Sequence, residues 1–310
     1  MASRDQTTVS VDGRTLALSN LGKVLYPETG TTKGELIEYY TKIAPAILPY
    51  LRERPLSLKR YPDGVTGPGF FAKNRPNGTP DWVRTVRLPV PGSSMNRDEI
   101  DFVVADGLPT LVWLANLAAI ELHVPQWRVG PRGGVKGVDL LVFDLDPGPP
   151  ATIVECCQVA GLLREALAAD DLPAYGKTSG SKGMQLYVPV EETSDTRTSA
   201  FAKRLAERLE AENPKQVVSR MRKDLRPRKV FIDWSQNNAA KTTVAPYSVR
   251  AREHPTASTP LSWDEIEGCT DPGQLVFTMS DVLDRVQKRG DLFEPLLDAD
   301  RPALPKEPSY

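Results

Sequence analysis

The chain has 310 residues, of which 40% are hydrophobic and 25% charged, so it has the composition of a globular protein with enough sequence for a sizeable core. It shows no long apolar run and no secretory leader, and its three cysteines do not suggest a disulfide framework, so we expect a cytoplasmic protein. The net charge of −1 hides an asymmetry, because residues 261–310 hold 11 acidic and 5 basic side chains.

Four helices are predicted in chain order. The first begins at the capping box Thr32–Glu35, after which apolar residues follow at helical intervals. The second is predicted over 109–122, with proline in its first turn, which would place His123 at a helix end. The other two are predicted over 152–169 and 198–212.

Three strands are predicted between and after these helices. Asp139–Asp146 is an almost uninterrupted apolar run, while Met184–Val190 and Lys229–Trp234 show the alternation of a strand. Residues 65–108 are rich in Gly and Pro and indicate strands mixed with exposed loops. The acidic C-terminal segment predicts helices, followed from Asp300 by a proline-rich tail that is extended or disordered. The pattern is that of an α/β protein.

Two carboxylates lie at the end of the first of these strands. Side chains two apart on a strand point to the same face, so Asp144 and Asp146 project together, with Cα atoms roughly 6–7 Å apart. Two such charges repel each other unless a cation compensates them. A third carboxylate, Asp233, ends another strand, and three carboxylates are what a two-metal phosphoryl-transfer site requires. The alternative is that each aspartate only ends a strand or caps a turn.

A loop rich in glycine and serine, Thr178–Gly183, directly precedes a strand. Its glycines allow backbone N–H groups to approach an anion, while Ser179 and Lys182 add a hydroxyl donor and a positive charge. We reject a P-loop, because the required upstream glycine position is Asp171 and a strand follows. An ordinary tight turn is the alternative.

Basic residues cluster at 52–60 and at 220–229, where the local charge either attracts a polyanion or is only solvated. The first cluster, which includes Arg54, precedes Phe70 and Phe71. An exposed aromatic side chain beside glycine can stack on a nucleic-acid base. The alternative is that one or both phenylalanines are buried in the core.

Together these segments resemble the polymerase domain of bacterial DNA ligase D, a branch of the archaeo-eukaryotic primase superfamily that works in non-homologous end joining. The resemblance covers most of the chain and rests on eight segments in the right order. They are Asn20–Pro27, Lys59–Pro62, Phe70–Phe71, His123–Trp127, Phe143–Gly148, Thr178–Gly183, Asp233–Asn237 and Lys241–Ser248. Each segment is short, but the ordered set is specific.

The resemblance implies a role for each matching residue. Asp144, Asp146 and Asp233 match catalytic ligands of two divalent cations, with Mn²⁺ preferred or Mg²⁺ in its place. The positions that match the site for the NTP or dNTP substrate are Lys59, His123, Ser179, Lys182, Gln185, Gln236, Lys241 and Arg250. The positions that match DNA contacts are Asn20, Lys23 and Lys33 in a 5′-phosphate pocket, Arg60, Phe70 and Phe71 beside the template, and Arg226 on a mobile loop.

The resemblance also implies a fold, an activity and partners. We expect one α/β (α+β) domain with a primase-type core of mixed or antiparallel sheets flanked by helices. Its modules would be an N-terminal DNA-binding module (about 1–135), an RRM-like catalytic module (about 136–260) and an acidic helical segment with the tail (261–310). The implied activity is template-directed nucleotide addition, with NTPs preferred, to a DNA 3′ end at gaps or double-strand breaks. The implied partners are DNA with a 5′-phosphorylated gap or end, a separate ligase and an end-binding protein, at the nucleoid and not at a membrane.

The chain departs from the family pattern at Gln185. The family motif Ser-Gly-x-Lys-Gly-x-His has a histidine there that reaches the nucleotide phosphates, whereas glutamine donates only a neutral hydrogen bond. We expect an active site nonetheless, because the other phosphate-contacting positions are intact. The Lys-x-Asp-Gly motif of the ligase module does not occur. The chain is therefore an excised polymerase domain or a free-standing homologue, and the Gln185 departure favours the second.

Two rival functions stay open. A non-catalytic DNA-end-binding module is consistent with Gln185, and it would bind gapped DNA without adding nucleotides. A haloacid-dehalogenase-like phosphatase also has an apolar run followed by Asp-x-Asp. Its motif lies early in the domain and continues with Gly-Thr or a similar pair, whereas here Pro147-Gly148 follows late in the chain.

Overall fold

The computed structural model describes residues 6–90 and 98–309 of the chain. Helices within those ranges are α1 (Lys33–Leu51), α2 (Leu108–Asn116), α3 (Ile153–Ala168), α4 (Asp195–Glu212), α5 (Trp263–Glu267) and α6 (Met279–Arg289). Short 3₁₀ helices cover Lys223–Leu225, Trp234–Asn237, Pro272–Leu275 and Glu294–Leu297. The strands are β1 (Gln6–Val11), β2 (Arg14–Ser19), β3 (Val24–Tyr26), β4 (Thr31–Thr32), β5 (Ser57–Arg60), β6 (Phe70–Ala72), β7 (Thr85–Pro89), β8 (Glu99–Val103), β9 (Ala119–Val124), β10 (Trp127–Val129), β11 (Val135–Pro147), β12 (Tyr175–Thr178), β13 (Met184–Thr193), β14 (Val217–Val218), β15 (Val230–Asp233), β16 (Thr243–Val244) and β17 (Pro260–Leu261).

Two sheets form the framework of the described residues. The larger sheet has the strand order β14-β15-β11-β13-β12-β17, and β10 also pairs with β11. Its neighbours are antiparallel, except that β14 runs parallel to β15. The smaller sheet has the order β16-β9-β5-β6, and all its pairs are antiparallel. The expectation of a mixed α/β fold with largely antiparallel sheets and flanking helices is confirmed.

The helix boundaries follow from side-chain capping. Thr32 and Glu35 form the capping box at the start of α1, as predicted, and Thr152 with Glu155 does the same for α3. Helix α4 begins at Asp195, one turn earlier than predicted, because the Ser194 hydroxyl accepts a hydrogen bond from the backbone of the first turn.

The predicted helix over 109–122 is wrong in its second half. Helix α2 ends at Asn116, and Ala118 then takes a positive φ of 53°, which interrupts the helix. Residues 119–124 form β9, a central strand of the smaller sheet. A buried central strand is apolar at most positions, so periodicity alone does not distinguish it from a buried helix. His123 therefore lies on a strand and not at a helix end.

The two faces of β11 belong to two different cores. Leu141, Phe143 and Leu145 pack with α3 and α4 on one side of the larger sheet. Leu140 and Val142 face the other side, where they join the core formed with α1 and the smaller sheet. Because alternate side chains share a face, Asp144 and Asp146 continue this second face. The aspartates therefore lie where the two sheets face each other.

The C-terminal segment packs on this framework. The predicted acidic helices are present as α5 and α6. The tail is extended, as one of the two predicted alternatives states, and it buries Leu304 while the carbonyl oxygen of Pro302 accepts a hydrogen bond from the backbone of Glu191. Within the described ranges, none of the helices combines the length and the apolar character needed to cross a membrane. The division into three modules stays a prediction.

Candidate active site

Strand register brings the three predicted aspartates together. Asp144 and Asp146 lie two residues apart on β11, and Asp144 is directly opposite Asp233 on β15. Directly opposed residues of an antiparallel pair project to the same face of the sheet. All three carboxylates therefore belong to the face that looks toward the smaller sheet.

The carboxylates repel each other. Burial raises the pKa of Asp144 to about 7, and the negative charges of Asp146 and Asp233 add to this, while a hydrogen bond from Gln185 acts in the opposite direction. Burial and the charge of Asp233 also raise the pKa of Asp146, against the effect of Arg226. Such a group of neighbouring carboxylates is stabilised in its ionised form by added positive charge.

Asp233 already has hydrogen-bond partners. Its Oδ1 accepts hydrogen bonds from the backbone N–H of Ser235 at 3.0 Å and from the Ser235 hydroxyl, and its Oδ2 accepts one from Gln236 Nε2 at 2.8 Å. It thus caps the 3₁₀ helix that follows, which was the alternative role considered for an aspartate here. Among residues 6–90 and 98–309, no three acidic, histidine or cysteine side chains form a ready-made metal site. The oxygen donors nevertheless suit hard divalent cations such as Mg²⁺ and Mn²⁺.

The Thr178–Gly183 loop lies against the end of β11. A Cβ on Gly183 would be 2.1 Å from the carbonyl oxygen of Leu145, so only glycine allows this approach. The Ser179 hydroxyl accepts hydrogen bonds from the backbone of Ser181 and of Gly183, both at 3.3 Å. The loop is thereby fixed next to the aspartates.

A cavity of about 260 Å³ joins the aspartates to this loop. The predicted site residues that line it are His123, Asp144, Asp146, Ser179, Lys182, Gln185, Gln236 and Arg250. Three predicted residues lie beside it and not on its wall, namely Lys59, Asp233 and Lys241. Lys241 Nζ contacts the Ser235 hydroxyl, which also contacts Asp233. Most of the predicted nucleotide site is thus gathered around one cavity.

Glu121 is a buried carboxylate that contacts His123, Arg250 and Lys59 beside the cavity. Its Oε2 lies 2.9 Å from His123 Nε2, and its Oε1 lies 3.4 Å from Arg250 Nε and 3.7 Å from Lys59 Nζ. Oε1 also accepts a hydrogen bond from the backbone of Ala251 at 3.0 Å. Burial alone would raise the pKa of Glu121, but the hydrogen bond from His123 and the charge of Arg250 lower it to about 2. The carboxylate therefore stays ionised and keeps these side chains in place.

Phe70 and Phe71 are both exposed, with 46% and 59% of their surfaces accessible, so the buried alternative is wrong. The Arg60 guanidinium lies 5.3 Å from the centre of the Phe70 ring, and Lys59 Nζ lies 5.8 Å from that of Phe71. The rings of Phe71 and His123 meet edge to face at 5.6 Å. The aromatic pair therefore adjoins the cavity and is open to a flat ligand.

Asn20, Lys23 and Lys33 converge at the start of α1. The backbone N–H of Lys33 donates to the carbonyl oxygen of Lys23 at 2.8 Å, and that of Lys23 donates to Asn20 at 3.0 Å. Lys33 Nζ donates to the carbonyl oxygen of Asn116 at 3.0 Å, while Lys23 Nζ lies 2.8 Å from Asp63. Burial and the neighbouring charge of Lys23 lower the pKa of Lys33. Two adjacent cations at a helix N-terminus suit an anion such as phosphate.

The two predicted basic clusters differ. Arg54 is only 2% exposed and pairs with Asp139 at 2.8 Å, so it is structural and adds nothing to a surface for a polyanion. Arg226 packs its guanidinium on the Phe231 ring at 3.8 Å. A Cβ on Gly148 would be 1.9 Å from the Arg226 carbonyl oxygen, so the basic loop lies against the end of β11.

Sequence reasoning missed Glu121 and Arg252. Glu121 was hidden because its segment was assigned to a helix, whereas the alternation of a strand would have placed it on one face with His123. Arg252 lines the cavity together with Arg250. The two arginines are two residues apart, and this spacing could have indicated that both side chains point to the same side of the chain.

Comparisons with known proteins show what this chain is similar to. A family model for the LigD primase-polymerase domain matches residues 32–293. The chain is 43% identical over 297 residues to the multifunctional non-homologous end joining protein LigD of Mycolicibacterium smegmatis, which covers 94% of this chain and 37% of that protein. It is 31% identical over 277 residues to the bifunctional non-homologous end joining protein LigD of Bacillus subtilis, covering 89% of this chain and 43% of that protein.

A solved structure shares the fold. It is the polymerase domain from Mycobacterium tuberculosis ligase D in complex with DNA, with a TM-score of 0.85 and 41% sequence identity, and the match covers 93% of this chain and 99% of that one. The chain spans less than half the length of the two curated relatives above. From the family match, the relatives and the shared fold, we conclude that the chain belongs to the family of LigD primase-polymerase domains.

Proposed function

We propose that this chain is a template-directed nucleotidyltransferase that adds nucleotides, with NTPs preferred over dNTPs, to a DNA 3′ end at a gap or break. The observation that supports this most is one cavity whose lining includes the carboxylates Asp144 and Asp146 together with the cations Lys182 and Arg250. A triphosphate needs cations along its length, and a transferred phosphoryl group needs oxygen ligands that can hold metal ions.

In this proposal each group acts on a defined part of the reaction. Asp144, Asp146 and a reoriented Asp233 would hold two divalent cations, Mn²⁺ in preference to Mg²⁺. When bound, such cations activate the attacking 3′ hydroxyl and neutralise the triphosphate. Lys182 and Arg250 bind the phosphates, and Ser179 offers a hydroxyl to them.

The DNA would approach from the side of the exposed aromatics. Phe70 and Phe71 offer stacking surfaces, and the cations Lys23 and Lys33 suit the 5′-phosphate on the far side of a gap. The related polymerase domain from Mycobacterium tuberculosis has been solved in complex with DNA, which supports DNA as the ligand. The names of the curated relatives support a role in non-homologous end joining. A separate ligase and an end-binding protein are the further partners in this proposal.

Primer extension on a short gap with a 5′-phosphate tests this proposal. We expect the protein to add the templated nucleotide, with NTP faster than dNTP and Mn²⁺ more effective than Mg²⁺. Tight binding to the gap without incorporation in either metal would favour the non-catalytic DNA-end-binding module, for which Gln185 is the supporting observation. Hydrolysis of a simple phosphomonoester without primer extension would favour a phosphatase.

A further inference from the structure

Lys177 is a fully buried lysine beside the candidate active site, and no role has been assigned to it above. It lies on β12 directly opposite Gln185 on β13, and Gln185 lies directly opposite Asp144 on β11. Together with Asp233, these residues form one row across four adjacent strands on the same face of the larger sheet.

The hydrogen bonds of Lys177 fix which atom of Gln185 it meets. Lys177 Nζ lies 2.6 Å from Gln185 Oε1 and 2.6 Å from Ser258 Oγ. The Ser258 hydroxyl already donates to the carbonyl oxygen of Thr178 at 2.7 Å, so it accepts from Lys177. The amide atom of Gln185 that faces Lys177 is the oxygen, which accepts a hydrogen bond from the amino group of Lys177.

The other end of the amide is therefore the NH₂ group. An amide has two orientations that differ by exchange of its oxygen and nitrogen. In the opposite orientation the Gln185 oxygen would face the Asp144 carboxylate, and two acceptors would meet. Gln185 lies between Lys177 and Asp144 in the register, and the three side chains share one face, so the NH₂ group is the end of the amide on the Asp144 side.

We propose that Lys177 is a positioning residue that holds the Gln185 amide with its NH₂ group toward Asp144 and so fixes that carboxylate for divalent-cation binding. This inference rests on the proposed function, because it concerns the same site. Groups that orient a ligand's side chain in this way typically change metal affinity or activity by about 10–100-fold when they are replaced. Lys177 thereby gives a neutral glutamine a defined donor role at a position where the family has a histidine.

The test is Mn²⁺ binding to the whole chain, followed by electron paramagnetic resonance of the free ion, together with primer extension. Lys177→Met keeps the length of the side chain and removes its donors, so we expect Mn²⁺ affinity to fall about tenfold. Gln185→Met removes the donor to Asp144, and we expect the same loss. Lys42→Met, at an exposed lysine of α1, is the matched control and should bind Mn²⁺ like the parent.

The double variant, Lys177→Met with Gln185→Met, distinguishes positioning of the Gln185 amide by Lys177 from a general effect of the charge of Lys177. If Lys177 acts through Gln185, then adding Lys177→Met to Gln185→Met causes no further loss. A full second loss of Mn²⁺ affinity in the double variant would overturn the proposal. An unchanged Mn²⁺ affinity in Gln185→Met would also overturn it, and this second test does not require Lys177→Met to fold. A parent that neither binds Mn²⁺ nor extends primers would overturn the proposed function and this inference with it. A parent that does both, with Lys177→Met and Gln185→Met unchanged, would overturn this inference alone.

Discussion

Gln185 is the residue that we interpret as a departure from the family motif, and its neighbours explain how the site would tolerate it. It lies between Asp144 and Lys177 in the register of the larger sheet, and it lines the same cavity as Lys182 and Arg250. The positive charge that a histidine could offer to phosphates is thus available from two nearby side chains. The departure changes the kind of hydrogen bond at this position without removing the cations around it.

We predict that Gln185→His changes the rate of nucleotide addition by less than about tenfold. Loss of one uncompensated electrostatic donor at such a site typically costs about 2–4 kcal/mol, which corresponds to roughly 30-fold or more in rate. A small effect is expected because Lys182 and Arg250 already provide compensating charge. Single-turnover extension measures this, and a gain of 30-fold or more would show that the parent site is impaired.

At the scale of single residues, the sequence predicts the direction of a side chain where that direction depends only on local alternation along a strand. Asp144 and Asp146 were placed on one face from their spacing alone, and the structure agrees. The role of Lys177 depends on which strands are neighbours, and the register of β11, β12 and β13 cannot be read from one strand. Asp233 was predicted as a ligand, but local spacing did not show that its carboxylate accepts hydrogen bonds from Ser235 and Gln236.

Strands β5, β6 and β9 form the element that joins the cavity to the exposed aromatics. Lys59 lies directly opposite both Phe71 on β6 and Glu121 on β9. The buried carboxylate of Glu121 therefore supports the cation that lies near the Phe71 ring. An exposed aromatic pair of this kind is typical of an interaction surface.

We predict that Phe71→Ala weakens binding of gapped DNA without lowering thermal stability. Stacking of one base on an aromatic ring is worth about 1–3 kcal/mol, so the dissociation constant should rise roughly 5–150-fold. Fluorescence anisotropy with labelled gapped DNA measures it. The matched control is Val276→Ala, which also truncates an exposed apolar side chain. DNA affinity equal to that of the parent would remove Phe71 from the DNA contact surface.

Helices α5 and α6 are joined by an ion pair with a defined pH dependence. Burial alone would raise the pKa of Glu265, but hydrogen bonds from Arg285 and from the backbone of Ser262 lower it to about 2. Because the pKa is lower in the folded state, this stabilisation is complete above the unfolded pKa near 4.5 and is lost as the pH falls toward 2.

Glu265→Gln should therefore lower the free energy of unfolding by about 1–3 kcal/mol at pH 7, as expected for the loss of hydrogen bonds between charged groups. The difference between variant and parent should shrink between pH 4.5 and pH 3, because Glu265 gains a proton there in the unfolded parent while it stays ionised in the folded parent. Urea unfolding at several pH values measures it. An unchanged difference at pH 3 would contradict the assigned pKa.

Helix and strand boundaries were predictable where capping or breaking residues mark them. The Thr32 capping box predicted the start of α1, whereas α3 was predicted from its apolar periodicity and the structure adds a capping box at Thr152. The transition from α2 to β9 was not predictable, because Ala118 in its left-handed conformation carries no glycine or proline signal. The surrounding core, and not the local sequence, decides that residues 119–124 form a strand.

At the scale of the whole molecule, two sheets face each other across the cavity, and their contributions come from distant parts of the chain. His123 of the smaller sheet and Asp144 of the larger sheet line the same cavity. The 5′-phosphate pocket predicted at the start of α1 lies on the N-terminal part, with Lys33 held by the backbone of α2. A gap-filling enzyme needs both sites, since one holds the nucleotide and the other the downstream end.

We predict that the parent binds gapped DNA more tightly when the downstream strand carries a 5′-phosphate, and that Lys33→Met removes most of this preference. The buried ammonium group has neutral partners in Ser19 and Asn116, so it retains charge to offer a phosphate. Competition binding with phosphorylated and unphosphorylated gaps measures the ratio, with Lys42→Met as the control. Equal preference in Lys33→Met and the parent would place the phosphate elsewhere.

Overall charge and composition predicted little about this architecture. They indicated a globular protein with an acidic C-terminal segment, but the facing of the two sheets depends on long-range pairing such as that of β9 with β16. The ordered set of short motifs was more informative, because it links residues that only the folded chain brings together. The family match and the shared fold confirm the resemblance to the ligase D polymerase domain that these motifs indicated.

Single-turnover extension of a 5′-phosphorylated gapped primer by Asp144→Ala tests the central assignment most directly, with Asp284→Ala, at an exposed aspartate of α6, as the matched control. We predict that Asp144→Ala loses at least about a hundredfold in rate, as expected when a group essential to transition-state stabilisation is removed. Its thermal stability should equal or exceed that of the parent, because one of three mutually repelling carboxylates is gone. Extension by Asp144→Ala at the rate of the parent and of Asp284→Ala would contradict the assignment of this face as the catalytic site.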